Sequence, residues 1–492
     1  MSDEPSRSAR FGRVALLTSA GIAGLAAALQ AVLFALERAG AGRRLWGDEV
    51  LYLTAARRVL GGGPSDLDPL WPPLYPHLLA ALGASHLAAE ISQTLLLVAT
   101  ALLLADLARR TYGAEGPAAD LAGALAGGLL LLDPQVAAFS HYLWPEIVHL
   151  FLFVAAFWGM VRIGARFAAA GEGAGAPPIR PPWIGLALLG VAFGLALQAK
   201  SLLLPFVPIL FIPLFVAIFR RFGPRRGALC ALAAAAALAA TLTPTLLANV
   251  REGIGFRLAD SSKFNLWVGL NDTSRRNLVG EIVGHKYELY RNSAPTFPER
   301  NEILDRKLRR LVAREGVPKL ALRQVTRQPF RLFDRESFFT DQLPGGAIVA
   351  EGRGYRDAAQ GLSALLRAAG IAIYVAILLA AVVGIARGKK AWAPLAAPYR
   401  PVLLAFLAYN LLLFLALHAK TRYRIQMMPV IDLFAAFGVA GLWQGVRLSR
   451  RATIAAVAAA LLVLGLVFGG RALDARWPQA PLAPLDPVES ER

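Results

Sequence analysis

Four short stretches hold residues able to do acid–base or anion-binding chemistry in an otherwise apolar chain. In "GDEVLYLTAARRVL", Asp48 and Glu49 stand side by side at the head of a helical pattern. A helix N-terminus favours carboxylates through its dipole, while a general base for a hydroxyl acceptor needs the same group. Helix capping and base catalysis are therefore both open here. In "YLWPEIVHLF", Glu146 follows Pro145 at the mouth of an apolar run. An acid at that edge needs a cation, a hydroxyl-rich ligand or water, although Pro-Glu is also an ordinary helix start. In "LALQAKSLLLPF", Lys200 separates two apolar runs and either snorkels to water or meets an anion such as a lipid phosphate. The last, "LHAKTRYRIQMMPVIDLF", gathers His418, Lys420, Arg422, Tyr423 and Arg424. That is an anion site or a contact for acidic headgroups, and Asp432 is expected to pair with one of these bases.

What positions these groups is a membrane bundle. The chain has 492 residues, 56% hydrophobic and 17% charged, with a mean hydropathy of +0.50, far from the roughly 25% charge of a soluble domain. Apolar runs at 14–36, 86–108, 118–132, 144–163, 183–199, 202–219 and 227–247 precede a long polar interval. Further runs follow at 368–386, 401–417, 427–446 and 453–468. They predict an all-α polytopic protein with about eleven transmembrane helices. The first run is too long for a signal core and reads as a retained span. Arg109, Arg110, Arg162, Arg166, the arginines at 220–226 and those at 447–451 fall between alternate spans. This asymmetry predicts the N-terminus inside and the C-terminus outside.

All polar loops of any size then lie on the outer side. In the first, 48–60 predicts an interfacial helix with Leu51, Ala55 and Val59 on one face, and 74–82 a half-span. The largest, about 115 residues, predicts a small, mostly helical outer domain. Within it "TFPERNEILDRKLRRLVAREG" is an amphipathic helix with Pro298 in its first turn and Ile303, Leu304, Leu308, Leu311 and Val312 on one face. A second helix is expected from Pro318 to just before Pro329. The expected division is a catalytic membrane module over 1–248, an extracytoplasmic loop domain over 249–366, further spans over 367–470, and a flexible tail over 471–492. Residues 171–182 form a cytoplasmic linker.

The net charge of +19 does not point to nucleic acid, because the basic residues sit at span ends and no basic run alternates with stacking aromatics. Cys230 is alone and can form no internal disulfide. No nucleotide-binding fingerprint or zinc-ligand spacing is present. No cofactor is certain, which leaves room for a divalent cation on Asp48, Glu49 or Glu146.

Taken in order, "GDEVLYLTAARRVL", "PPLYPHLLA", "WPE", Lys200, "NLWVGLND" and "TRYRIQMMPVIDLFAA" resemble the C-type membrane glycosyltransferases. The likeness is to bacterial relatives of protein O-mannosyltransferases and lipid A aminoarabinose transferases, over nearly the whole chain. It implies a multi-pass enzyme of the cell inner membrane with its active site on the extracytoplasmic face. The donor would be a sugar on a polyprenyl phosphate and the acceptor a protein, glycolipid or polysaccharide, with membrane lipids as further partners and transfer that inverts the anomeric centre. By matching position, Asp48 resembles the general base, Glu49 its orienting neighbour and Glu146 an acid that positions acceptor or base. Lys200 resembles the donor-phosphate ligand, joined by Lys420, Arg422 and Arg424. Tyr52, Tyr75, His77, Trp267 and Asn271 are the candidate substrate contacts. The alternative is a transporter or flippase of a lipid-linked or small polar substrate, since buried charges and broken helices also serve translocation.

Overall fold

The computed structural model describes residues 4–38, 45, 47–169, 181–270, 287–335, 337–350 and 354–476. The amino-terminal part comprises α1 (Glu4–Arg38), α2 (Asp48–Leu60), α3 (Leu74–Ala81), α4 (His86–Thr111), α5 (Pro117–Leu132), α6 (Pro134–Phe139), α7 (Glu146–Ala169), α8 (Trp183–Ala199) and α9 (Val207–Arg251). The polar interval contributes α10 (Ser262–Leu270), α11 (Phe297–Glu315) and α12 (Val317–Phe333). The chain then returns to apolar helices α13 (Gln360–Ala386), α14 (Tyr399–Ala416), α15 (Met428–Trp443) and α16 (Arg450–Arg476). Among the described residues the only β pairing is an isolated bridge between Tyr112 and Trp392.

Eight of these helices are long and apolar enough to cross a bilayer, and α5 and α8 are shorter apolar helices. Helix α9 is two helices joined at Gly223, whose φ of 76° and ψ of 172° belong to a region open essentially to glycine alone. With α9 taken on both sides of that joint, each apolar run of the sequence falls on a helix. The protein is an all-α polytopic membrane protein.

Lipid tails give apolar helices little reason to associate, so close backbone packing must do it. At three seams a glycine admits the neighbouring backbone. A methyl on Gly384 of α13 would lie 1.8 Å from the Phe434 carbonyl oxygen of α15. One on Gly190 of α8 would lie 2.3 Å from the Ala234 carbonyl of α9, and one on Gly127 of α5 2.5 Å from the Ala101 carbonyl of α4. The span containing α15 is the centre of the bundle, 89% buried against 11% for that of α16.

The polar interval closes over the first loop. Leu70, Ile254, Phe264, Trp267, Tyr290, Phe297 and Leu304 form one apolar cluster. Arg300 donates to Asp68 at 2.6 Å with both side chains buried, and Asp260 N–H donates to the Pro69 carbonyl at 2.9 Å. Helix α11 starts with a capping box between Thr296 and Glu299, which satisfies two otherwise orphaned donors.

Three local expectations need correction. The buried face of α2 is Glu49, Tyr52, Leu53, Ala55 and Ala56, so the helix turns its acidic start inward and leaves Leu51 and Val59 only half-buried. On α11, Val312 is exposed while Leu304 and Leu311 are buried. Helix α12 runs through Pro329 to Phe333. Proline there forfeits a backbone hydrogen bond, but continuing the helix buries Leu332 against Phe414 and Ala419.

Candidate active site

Asp48 and Glu49 open α2, yet neither serves as its cap. The cap is Gly47, which has no side chain to offer. Glu49 is fully buried and its Oε1 accepts from the Leu143 backbone N–H at 3.0 Å. Asp48 Oδ2 accepts from Arg422 Nη2 at 2.8 Å, across 374 residues of sequence. Arg422 is itself flanked by aromatic rings, its guanidinium carbon 4.7 Å from the Trp144 centroid and 5.3 Å from that of Tyr423. These contacts fix the guanidinium plane as well as its charge.

A second pair lies beside the first. Glu146 is the first residue of α7, and its Oε1 accepts from Lys200 Nζ at 2.9 Å. Lys200 ends α8 in an extended conformation, which turns its side chain out of the helix at the break. Glu146 is 4% exposed, and its Oε2 has no hydrogen-bond partner among the described residues.

Both pairs line one cavity of about 410 Å³, within the 300–1,000 Å³ usual for small-molecule sites. Its polar wall is Asp48, Glu146, Lys200, Lys420, Arg422 and His418, and its apolar wall includes Leu70, Trp71, Leu202, Phe264, Phe414 and Leu417. Acids and bases are interleaved here as two ion pairs. Lys420 and Arg422 reach this cavity from the segment before α15, outside the 1–248 division.

Tyr52 also lines the cavity and packs edge-on against Tyr75 at 5.1 Å. Burial, then the Asp48 and Glu146 carboxylates, push the Tyr52 phenol well above its usual range, which keeps it a neutral donor. Tyr75 is raised by burial and by Glu49. It stands behind the cavity wall and donates to Gln93 Oε1 at 2.8 Å.

Four expected contacts fall elsewhere. Arg424 is two residues beyond Arg422 on a 3₁₀ turn, Thr421–Met427, so it points to another side. It donates to the Asp334 carbonyl at 2.6 Å and lies 3.8 Å from the Tyr374 ring centroid. His77 is exposed on α3 and contacts the Pro73 carbonyl at 2.7 Å. Trp267 is buried in the outer cluster with Lys307 Nζ 5.5 Å from its ring. Asn265, about 200° around α10 from Trp267, faces the cavity in its place. Asn271 lies outside the described residues, as do residues 171–180 of the linker and the tail from 477. Asp432 is buried with neither carboxylate oxygen hydrogen-bonded among the described residues, so it does not pair with the cationic cluster.

The residues that sequence reasoning missed come mainly from the outer loop: Ser261, Asn265, Tyr287, Glu288 and Arg291 all line the cavity. Tyr287 meets Trp71 edge-on at 5.0 Å. Burial, then Asp68, push its phenol up to about 12. For Tyr287, Glu288 and Arg291 the signal was the polar composition of 287–291, while Asn265 opens the quoted stretch "NLWVGLND". For a metal, Asp48, Glu49 and Glu146 are engaged by Arg422, an amide and Lys200, and they do not form a ligand cluster among the described residues.

Chemically, the arrangement offers carboxylates to take a proton, ammonium and guanidinium groups to hold an anion, and an apolar wall for a lipid. No curated protein matches the chain. Residues 83–259, which include Glu146 and Lys200 but neither Asp48 nor Arg422, match the family model described as dolichyl-phosphate-mannose-protein mannosyltransferase. That match supports a membrane glycosyltransferase of the C-type family with a polyprenyl-phosphate sugar as donor.

Proposed function

We propose that the protein transfers a sugar, of the mannose class, from a polyprenyl phosphate to a hydroxyl acceptor within the cavity, with inversion at the anomeric carbon. One observation carries the reading: two acid–base ion pairs, Asp48 with Arg422 and Glu146 with Lys200, from stretches up to 374 residues apart, line a single hollow whose other wall is apolar. A polyprenyl-phosphate sugar presents the matching chemistry, an anionic headgroup on an apolar tail.

In this reading the acceptor oxygen attacks the anomeric carbon as its proton passes to Asp48. The bond from that carbon to the phosphate oxygen breaks, and its electron pair leaves with the polyprenyl phosphate. Lys200 and Lys420 meet the growing negative charge where a dry wall strengthens their effect. Arg422 orients Asp48, Glu49 holds the α2 start against Leu143, and Glu146 places both Lys200 and the acceptor. Tyr52, Asn265, Tyr287 and Glu288 are the hydroxyl-binding surface for the sugar. The cavity would face away from the cytoplasm, because Arg109, Arg110 and Arg162 gather at the opposite end of the bundle.

Purified protein in liposomes, supplied with radiolabelled polyprenyl-phosphate mannose and a membrane extract as acceptor, tests this directly. Label transferred covalently to the acceptor, with release of polyprenyl phosphate, supports the reading. Label that crosses the bilayer still joined to its lipid favours the transporter alternative.

A further inference from the structure

A second polar cluster lies outside the cavity, where the end of α1 meets the start of α4. One ligand atom each from Glu37, His86 and Glu90 lie within 4.8 Å of one another. None of these residues lines the cavity. Glu90 is 1% exposed. Its Oε2 accepts from Arg38 at 2.6 Å, while its Oε1 is buried with no hydrogen-bond partner among the described residues. That oxygen faces two imidazoles, His86 Nε2 at 3.6 Å and His141 Nδ1 at 3.7 Å; the same His86 nitrogen also lies 3.4 Å from the His141 carbonyl oxygen, a long contact that a metal would replace.

The tautomer of His141 sharpens the problem. Its Nε2 lies 2.9 Å from Gln30 Oε1, and an amide oxygen only accepts, so Nε2 carries the proton. In the neutral ring Nδ1 then turns a lone pair toward a buried carboxylate oxygen. Two such acceptors face each other stably only with a cation or proton between them. Zinc–ligand bonds of about 2.0–2.2 Å in a tetrahedron put neighbouring ligand atoms roughly 3.3–3.6 Å apart. The 3.6 Å between His86 Nε2 and Glu90 Oε1 falls at that spacing. An outer contact also suits a metal. The Tyr355 hydroxyl donates to Glu37 Oε1 at 2.6 Å, the kind of support that ligating side chains receive. His86 is 32% exposed, which provides an entry path.

We propose that Glu37, His86 and Glu90 form a binding site for a divalent cation of borderline hardness, with Zn²⁺ as its probe. The site ties α1 to α4, the spans that flank the first outer loop. It is independent of the glycosyl-transfer reading.

The test uses the full-length protein in detergent, stripped with EDTA and then dialysed against ZnCl₂. Bound zinc is measured by mass spectrometry of the metal, and affinity by competition with a chromogenic chelator. The expected result is one zinc per chain and a melting temperature raised by zinc. Affinity should fall by about tenfold or more in His86→Ala and in Glu90→Gln. Asp48→Asn and Glu146→Gln should keep full zinc content. Glu37→Gln, at a half-buried position, guards against misfolding of the Glu90 variant. If its metal-free melt matches that of the stripped wild type while zinc affinity falls, the site stands. Zinc content that is unchanged in all three cluster variants, or lost in the Asp48 and Glu146 variants instead, overturns the proposal. So does a wild type that retains no zinc.

Discussion

Charged side chains gather at both ends of the helix bundle, and the two gatherings are built differently. At the cavity, Glu146 and Lys200 are 4% and 13% exposed and 54 residues apart, and Asp48 and Arg422 are 374 apart. Sixteen residues along α7, about 24 Å away, Arg162 belongs to the other gathering. There Asp106 accepts from Arg110 at 2.6 Å, one helical turn on, and from the Trp158 indole at 2.7 Å. Arg109 meets Asp120 with side chains 65% and 50% exposed. Exposed pairs of that sort contribute little, about 0–1 kcal/mol. Burying charges from distant segments around a hollow is costly unless they are paired, and it concentrates reactive groups where water is scarce. The difference separates an interfacial rim from a site.

Mutations should expose that contrast. The largest effect is expected at the cavity: Asp48→Asn keeps the side-chain shape but removes the base, and transfer should fall by about 10²–10⁴-fold while expression holds. Steady-state turnover of the reconstituted variant measures this. Lys200→Ala should lower transfer by about 10²-fold and weaken donor binding as well, so KM for the lipid donor rises alongside the loss in kcat. Between the two ends, Gly384→Ala forces a methyl against the Phe434 carbonyl. Overpacking of this kind costs about 1–3 kcal/mol, to be read as a lower melting temperature. At the opposite end Arg109→Ala should change stability by about 1 kcal/mol or less and leave the transfer rate as in the wild type. A loss there comparable to that of Lys200→Ala would erase the distinction.

Much of this was legible in the chain. Apolar runs long enough to span a bilayer located the helices, because hydrocarbon forces every backbone group to be satisfied within its own segment. Asp48, Glu146, Lys200 and Arg422 stood out because charge is expensive beside lipid. What the sequence hides is rotation and pairing. Arg422 and Arg424 look equivalent in "TRYRIQ" until the 3₁₀ turn sends them to different sides. Trp267 looks a better sugar platform than Asn265 until α10 turns the indole into the outer cluster. That Asp48 meets Arg422 and Glu146 meets Lys200 depends on how distant helices cross, which no local pattern encodes. Pro329 misled for a similar reason, since a tertiary contact at Leu332 overrides the local break.

The most direct measurement is photo-crosslinking of the reconstituted protein with a polyprenyl-phosphate sugar that carries a diazirine on the sugar ring, followed by peptide mapping. Donor binding at the cavity predicts adducts within 144–146, 199–202, 261–265 and 418–423, competed away by unlabelled donor. Competable adducts confined to the rim around Asp106 and Arg162, with none on the cavity wall, would contradict it.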